Sequence, residues 1–159
     1  MTSTDRSPLY LDDLRVGQVF RGDGSVVVDA AAIKAYAREF DPQPFHLDDA
    51  AARGTMFDGL AASGWHTASL TMQLLVRHGI PLAGGIIGGG LDELRWPKPV
   101  RPGDRLHIES EVLEVRPSKS RPDRGVAKVR TTTLNQNNEA VQVFTANLFV
   151  PRRRQAATE

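Results

Sequence analysis

Two segments in the first half of the chain carry apolar residues at helical spacing. In the first, four residues follow the i, i+3, i+4, i+7 rule: Ile33, Tyr36, Ala37 and Phe40. This spacing predicts an amphipathic helix with one buried face. Asp29 stands where a capping residue is preferred. The prolines at positions 42 and 44 end the helix near Asp41, because proline disfavours a helix at its own position and at the one before it.

The second segment, residues 59–76, contains no charged residue. Its apolar residues nearly surround a helical axis: Trp65, Ala68, Leu70, Met72, Leu74, Leu75 and Val76. A helix with this distribution is typical of a protein interior. We therefore predict a long buried helix that begins near Ser63 and ends at Gly79 and Pro81. The segment is too short and too rich in Ser, Thr and Gln to span a membrane.

After Pro81 the apolar period changes to two residues, which is typical of strands with one buried face. This alternation runs through residues 106–109, 127–133 and 141–148. Five glycines between positions 84 and 90 precede these strands, and we expect them to mark bulges or close backbone contacts. One long helix followed by antiparallel strands predicts an α+β fold in which the sheet wraps around the helix.

Length and composition favour one domain, 1–159, with its core at about 14–150 and loose termini. The chain has no cysteine and no apolar run at its start, so we expect a cytoplasmic protein without membrane contact. Residues 1–94 carry a net charge of −5 and residues 95–159 carry +6. The basic half could hold a phosphate-bearing ligand, and solvated strand faces explain it equally well. Few aromatic residues lie among the basic ones, so no nucleic acid is expected as a partner.

The sequence lacks the motifs of two common kinds of site, a phosphate-binding loop and a zinc site. The glycine cluster is not followed by the Gly-Lys-Ser/Thr sequence of a phosphate loop. The histidines have no zinc-binding spacing and no cysteine to assist them: His46, His66, His78 and His107. We expect His66 and His107 to be ordinary core or surface residues, and His78 to be a favourable cation at a helix C-terminus.

His46 differs from the other histidines because it ends the sequence Asp41-Pro42-Gln43-Pro44-Phe45-His46. The prolines bias the residues before them towards extended geometry, which predicts a stiff loop that projects a carboxylate and an imidazole. Such a pair can hold one water between acceptor and donor, as general acid–base catalysis requires. Asp41 also ends a predicted helix, whose negative dipole end would raise its pKa. A rigid linker between helices accounts for the same residues without catalysis.

The start of the buried helix, Ser63-Gly64, is a candidate oxyanion hole. The first N–H groups of a helix have no internal partner and lie at the positive end of its dipole. Gly64 has no side chain, so a ligand oxygen can come close to its N–H. A plain helix start with Ser63 as the cap is the alternative.

These residues together resemble the MaoC-like dehydratases, the family of (R)-specific enoyl-CoA hydratases. The family signature Asp-x-Asn-Pro-x-His, followed by His-Gly at the start of a long buried helix, is similar to Asp41–His46 and Ser63-Gly64. Gln43 replaces the family's Asn, and Ser63 replaces its His. Residues 94–104 also look like a strand motif of the family, so the resemblance runs from about residue 14 to residue 150.

The resemblance implies a hotdog fold and the hydration of an enoyl-CoA type thioester, or the reverse dehydration, without a metal or other cofactor. It implies Asp41 and His46 as the catalytic pair and the Gly64 N–H as the oxyanion donor. Substrate contacts are expected from six residues: Gln43, Phe45, Ser63, Trp65, Arg95 and Lys98. Further cations for the CoA phosphates are expected from three: Arg101, Lys119 and Arg121. A homodimer is also implied, since pairing two such sheets covers an open edge.

Two other functions stay open at this point. Hotdog thioesterases often carry an Asp or Glu on or beside the central helix as the base, and residues 64–76 contain neither. A non-catalytic protein that binds acyl thioesters would account for the fold and the pocket, but not for the pairing of Asp41 with His46.

Overall fold

The helices and the alternating strands expected from the sequence are both present in the computed structural model, which describes residues 6–154. A 3₁₀ turn at Leu11–Asp13 comes first. The elements that follow are β1 (Val19–Arg21), β2 (Val26–Val27), α1 (Ala30–Phe40), α2 (Pro44–Leu47), α3 (Asp49–Ala52), α4 (Gly64–His78), β3 (Ile87–Arg95), β4 (Arg105–Pro117), β5 (Arg124–Leu134) and β6 (Ala140–Pro151). The order of helices followed by long strands confirms the predicted α+β organisation.

The strands form one antiparallel sheet in the order β1-β4-β5-β6-β3, and β2 pairs with the start of β4. In the centre of the sheet, Val129 of β5 lies between Val112 of β4 and Ala146 of β6. The register of β3 shifts between Gly88 and Gly90, which confirms the bulge predicted from the glycine cluster. β3 lies at one edge of the sheet and β1 at the other.

The long helix α4 packs on this sheet through one face, which holds five buried residues: His66, Thr67, Thr71, Leu74 and Leu75. This arrangement of a sheet around one long helix is the hotdog fold. The prediction that the helix is buried nearly all round is wrong, because Trp65 is 58%, Met72 46% and Val76 68% exposed. The sheet covers only one side of α4, so these three apolar residues lie on the surface of the single chain. No helix within residues 6–154 is long and apolar enough to cross a membrane.

The connection from α1 to α4 positions the residues of the candidate site. Asp29 caps α1 as predicted, since its carboxylate accepts a hydrogen bond of 2.7 Å from the N–H of Ala32. The prediction of a loop through to His46 is wrong from Pro44 onward, where α2 begins. Proline is favoured in the first turn of a helix, so Pro44 starts this short helix instead of extending the loop.

Near the start of the described residues, Leu11 is buried in the core together with Leu14. Near the other end, Arg152 and Arg153 form ion pairs with Asp12 and Asp13. We predicted loose termini on both sides of a core at about 14–150, and of these, residues 1–5 and 155–159 lie outside the described residues.

Candidate active site

A cleft of about 500 Å³ lies at the start of α4, between α2 and the segment that follows β3. Eight of the nine predicted site residues line it: Asp41, Gln43, Phe45, His46, Ser63, Gly64, Trp65 and Lys98. The ninth, Arg95, lies outside this lining at the end of β3 and forms a 2.9 Å ion pair with Glu93. The fold therefore brings together residues that are up to 57 positions apart in the sequence.

The carboxylate of Asp41 is held by two hydrogen-bond donors. Ser63 Oγ donates to Oδ2 at 2.7 Å, and Gln43 Nε2 donates to Oδ1 at 2.6 Å. Gln43 and Ser63 are the two positions at which the chain departs from the family signature, and both contact the same side chain. Each carboxylate oxygen thus has a donor of its own, which fixes the orientation of the group.

These donors also favour the ionised form of Asp41. Burial raises the pKa of this carboxyl, but the hydrogen bonds from Ser63 and Gln43 and the nearby His46 outweigh burial, so the pKa lies below its usual range. The predicted upward shift from the dipole of α1 is wrong in direction, because two donors stabilise the charged form directly. Asp41 is therefore ionised at neutral pH and able to accept a proton.

The imidazole of His46 is buried, and one of its nitrogens is already engaged. Nδ1 lies 2.7 Å from the carbonyl oxygen of Ala61. A carbonyl oxygen only accepts hydrogen bonds, so Nδ1 carries a hydrogen. Nε2 lies 3.3 Å from Asp41 Oδ2. Nε2 is therefore the nitrogen left for proton exchange, and it lies on the side of the ring that faces Asp41.

The wall of the cleft beside this pair is aromatic. The rings of Phe45 and Phe57 lie 5.0 Å apart and both contact His46. Phe57 belongs to the segment between α3 and α4, which Arg101 holds by donating hydrogen bonds to its backbone carbonyl oxygens, among them that of Gly59 at 2.9 Å. Arg101 therefore stabilises the wall of the cleft, a role that its prediction as a cation for CoA phosphates missed.

Gly64 is the first residue of α4, so its N–H has no acceptor within the helix. Ser63 caps the helix, and its Oγ accepts a hydrogen bond of 3.3 Å from the N–H of Trp65. The indole of Trp96 lies against Gly64 so closely that a Cβ at position 64 would stand 2.6 Å from a ring atom. The sequence predicts glycine here for the approach of a ligand, and the structure adds the packing of Trp96 as a second reason.

The remaining basic residues predicted for CoA are spread over the molecule. Lys98 lines the cleft and forms an ion pair with Glu139. Lys119 and Arg121 lie in the turn between β4 and β5, at the opposite end of β4 from the cleft. A strand of 13 residues extends about 40 Å at the usual rise, so within one chain Lys98 is the candidate that reaches the cleft. Among residues 6–154, no group of three His, Cys, Asp or Glu side chains could hold a metal ion.

Comparison with known proteins identifies the family. Residues 13–135 match the model of the MaoC like domain. The chain belongs to the MaoC-like domain family. It is similar to the MaoC-like dehydratase from Rhodospirillum rubrum, with 59% identity and a TM-score of 0.89 over 92% of this chain and 99% of that one. It is also similar to the (R)-hydratase from A. caviae, with 32% identity and a TM-score of 0.68 over 87% and 98% of the two chains.

A third relative of similar length is the uncharacterized protein YdeM of Bacillus subtilis (strain 168), which is 34% identical over 142 residues, 89% of this chain and 97% of that one. Membership in the MaoC-like family confirms the resemblance and the hotdog fold, and it supports a hydratase or dehydratase. The individual roles of Asp41, His46 and Gly64 stay predictions. Sequence reasoning did not assign a role to Trp96 or Phe57, although Trp96 lies within the quoted motif at residues 94–104.

Proposed function

We propose that this MaoC-like protein adds water across the 2,3 double bond of an enoyl-CoA type thioester and catalyses the reverse dehydration. The observation that carries the proposal is the 3.3 Å distance between Asp41 Oδ2 and His46 Nε2, in a cleft that Gly64 also lines. The similarity to an (R)-hydratase at 32% identity supports the same class of reaction.

The proposed reaction uses the three groups in turn. The thioester carbonyl oxygen accepts a hydrogen bond from the Gly64 N–H, and one water molecule in the cleft is hydrogen-bonded to both Asp41 and His46. Asp41 takes a proton from this water while the water oxygen attacks C3, and the negative charge moves to the thioester oxygen. The proton passes from Asp41 to His46 Nε2 and from there to C2, so no proton is gained or lost. Dehydration follows the same steps in reverse.

The surroundings of Asp41 suit this role. The lowered pKa keeps the carboxylate ionised at neutral pH, and the bonds from Ser63 and Gln43 leave it little freedom to turn. Pre-organised groups of this kind cost no reorganisation when the charge moves during reaction. The aromatic wall of Phe45 and Phe57 keeps the imidazole of His46 away from solvent.

We also infer that the protein acts as a homodimer on an acyl-CoA type substrate whose phosphates contact Lys98. The edge strand β3 presents exposed apolar residues, Ile87 and Leu91, beside the exposed face of α4. An unpaired edge with apolar side chains is a template for pairing with a second chain.

A cytoplasmic location stays a prediction from the sequence.

The experiment that tests the proposal is incubation of the purified protein with a panel of trans-2-enoyl-CoA thioesters of different lengths. Loss of the conjugated enoyl absorbance without free thiol is the expected result, and the Asp41→Asn variant should show far less of it. Release of free thiol would indicate a thioesterase instead. If neither product forms with any thioester that binds, the protein is a binding module and the proposal is wrong.

A further inference from the structure

A buried glutamine in the sheet is connected to the candidate active site through one indole ring. Gln142 lies on β6 and has no exposed surface. Its Oε1 accepts a hydrogen bond of 2.8 Å from Trp96 Nε1, and its Nε2 donates one of 3.1 Å to Thr71 Oγ1. A buried amide is costly unless its polar atoms are bonded. Breaking either bond would leave a polar atom of Gln142 without a partner, so both bonds keep Trp96 and Thr71 in position.

The other end of this connection is a hydroxyl with all of its bonding capacity in use. Thr71 Oγ1 donates to the carbonyl oxygen of Thr67 at 2.9 Å and lies 2.6 Å from Thr133 Oγ1. One hydrogen and two lone pairs are available to a hydroxyl, and these contacts together with Gln142 use all three. The amide orientation is set by the same chemistry, because the indole N–H of Trp96 only donates and must meet Oε1.

Trp96 is the residue that connects the buried Gln142 with the cleft. Its ring packs against Gly64, where a Cβ would stand 2.6 Å away, and forms a T-shaped contact with Trp65 at 5.4 Å. Trp96 follows β3 directly and is 41% exposed. Its single hydrogen bond to a buried partner is therefore the contact that ties the ring to the interior of the fold.

We propose that Gln142 is a positioning residue for the hydratase site, holding the Trp96 indole against Gly64 and so setting where a thioester carbonyl meets the Gly64 N–H. The inference rests on the proposed function. Gln142 itself is buried beneath the cleft and acts through Trp96. Misplacement of a reacting group by about 1 Å can cost about 10²-fold in rate, so a shift of the ring on Gly64 is sufficient to matter.

A purely structural role does not require a glutamine at this position. An apolar side chain of similar size fills a core without the cost of a buried amide. Helix α4 and the sheet are already joined by the bond between Thr71 and Thr133. What Gln142 adds to the network is its bond to Trp96, the member of the network that lines the cleft.

The kinetic test compares two single variants of the whole protein and their combination. Gln142→Met keeps an unbranched side chain but removes both bonds, and Trp96→Phe removes the indole N–H. We expect each to lower kcat by about 10- to 100-fold with a change in KM below about threefold, because orientation rather than affinity is lost. The double variant should be no slower than the worse single one, since both changes break the same bond.

Thr133→Val is the matched control, because it removes another buried bond of Thr71 without touching Trp96. We expect a similar loss of thermal stability but a kcat within about twofold of the wild type. Equal losses of kcat in Gln142→Met and Thr133→Val would show a general structural effect and overturn the inference. Multiplying effects of Gln142→Met and Trp96→Phe in the double variant would also overturn it.

A fluorescence measurement separates this inference from the proposed function. The chain contains two tryptophans, so in a Trp65→Phe background Trp96 is the only tryptophan, and its emission can be excited selectively over that of the tyrosines. Gln142→Met should red-shift its emission and increase its quenching by acrylamide, whereas Thr133→Val should leave both unchanged. An unchanged Trp96 signal overturns the inference whatever the activity. A wild-type protein that hydrates no enoyl thioester contradicts the proposed function instead.

Discussion

The hydroxyl of Ser63 donates a 2.7 Å hydrogen bond to the carboxylate of Asp41 and accepts one from the N–H of Trp65. One side chain thus caps α4 and also holds the proposed base. The proposed oxyanion donor, Gly64, is the next residue along the chain. The base and the oxyanion donor are therefore fixed relative to each other by a single residue.

Removal of this hydroxyl should change the pH dependence of the reaction. The hydrogen bond from Ser63 lowers the pKa of Asp41, so Ser63→Ala should raise that pKa. Because the proposed reaction needs ionised Asp41, the acid limb of the kcat/KM profile should move to higher pH. The profile of the wild type and the variant, measured with one enoyl thioester, checks this.

The control for this prediction is Asp29→Ala, which removes the cap of another helix, α1. Loss of a helix cap typically costs about 1 kcal/mol, so both variants should have a lower melting temperature than the wild type. Only Ser63→Ala should shift the acid limb. An acid limb that stays in place in Ser63→Ala would contradict the proposed link between Ser63 and the base.

Much of the site could be predicted because its residues cluster in two short segments. The prolines around Gln43 restrict the backbone, and the helical spacing of apolar residues in the charge-free run after Gly59 indicates where the long helix lies. Backbone preference and helix geometry depend on neighbouring residues, so they can be predicted from the sequence. The pair Asp41 and His46, and the start of α4 at Gly64, follow from these local effects.

The contacts that the sequence does not reveal join distant segments. Ser63 lies 22 positions from Asp41, and Gln142 lies 46 from Trp96. Helical periodicity alone does not tell which apolar face of α4 meets the sheet, and the exposure of Trp65 depends on that packing. The direction of the pKa shift at Asp41 depends in part on the same kind of contact, since folding brings one of its two donors, Ser63, to the carboxylate.

The cation in the cleft should contribute to CoA binding. Lys98→Gln removes a charge next to the site, and loss of a charge-assisted hydrogen bond to a phosphate, worth about 1.5–3 kcal/mol, should raise KM for CoA thioesters about tenfold or more. The kcat should change little because Lys98 does not take part in the proposed chemistry. Steady-state kinetics at constant ionic strength provide the measurement.

Lys119→Gln is the matched control, since Lys119 lies in the turn at the far end of β4 and β5. In one chain it should leave KM unchanged. Equal effects of the two variants would indicate either a long-range effect of net charge or a contribution from the second subunit, and repeating the measurement in high salt separates these because only the first is screened strongly. An unchanged KM in Lys98→Gln would rule out its role.

The edge strand β3 should carry the dimer contact. Leu91 is 53% exposed on this strand, and Leu91→Arg should replace an apolar contact with an unpaired charge, which is costly to bury. Light scattering should give about twice the 17.4 kDa chain mass for the wild type and the chain mass for the variant. Val16→Arg, at an exposed site outside β3, should remain dimeric. A wild-type mass near 17.4 kDa at micromolar concentration would contradict the dimer.

The oxyanion role of Gly64 requires a comparison of two substitutions. Both Gly64→Ala and Gly64→Pro introduce a Cβ that would stand 2.6 Å from the Trp96 ring, so both should lower stability and disturb the cleft. Only proline also removes the N–H, and it is tolerated in the first turn of a helix. Gly64→Pro should therefore be slower than Gly64→Ala by a further factor of about 10²–10³ in kcat. Equal rates in the two variants would mean that the N–H is not the donor.

The sharpest test is at the proposed base, where an almost isosteric change is available. In Asp41→Asn, the amide oxygen can accept from Gln43, and the amide nitrogen can donate to Ser63 Oγ, because a hydroxyl both donates and accepts. The geometry should survive and the melting temperature should stay close to that of the wild type. The loss of the base should lower kcat by about 10²–10⁴-fold.

Alanine is a poor choice for testing His46. The side chain is buried, so His46→Ala would leave a cavity in addition to removing the imidazole. His46→Asn can still donate to the carbonyl oxygen of Ala61 in place of Nδ1, while Nε2 is lost. If the two residues act as one unit, the double variant should be little slower than the worse single one. A folded Asp41→Asn protein that hydrates its best enoyl thioester at nearly the wild-type rate would reduce Asp41–His46 to a rigid connection between helices, and the proposed mechanism would have no base.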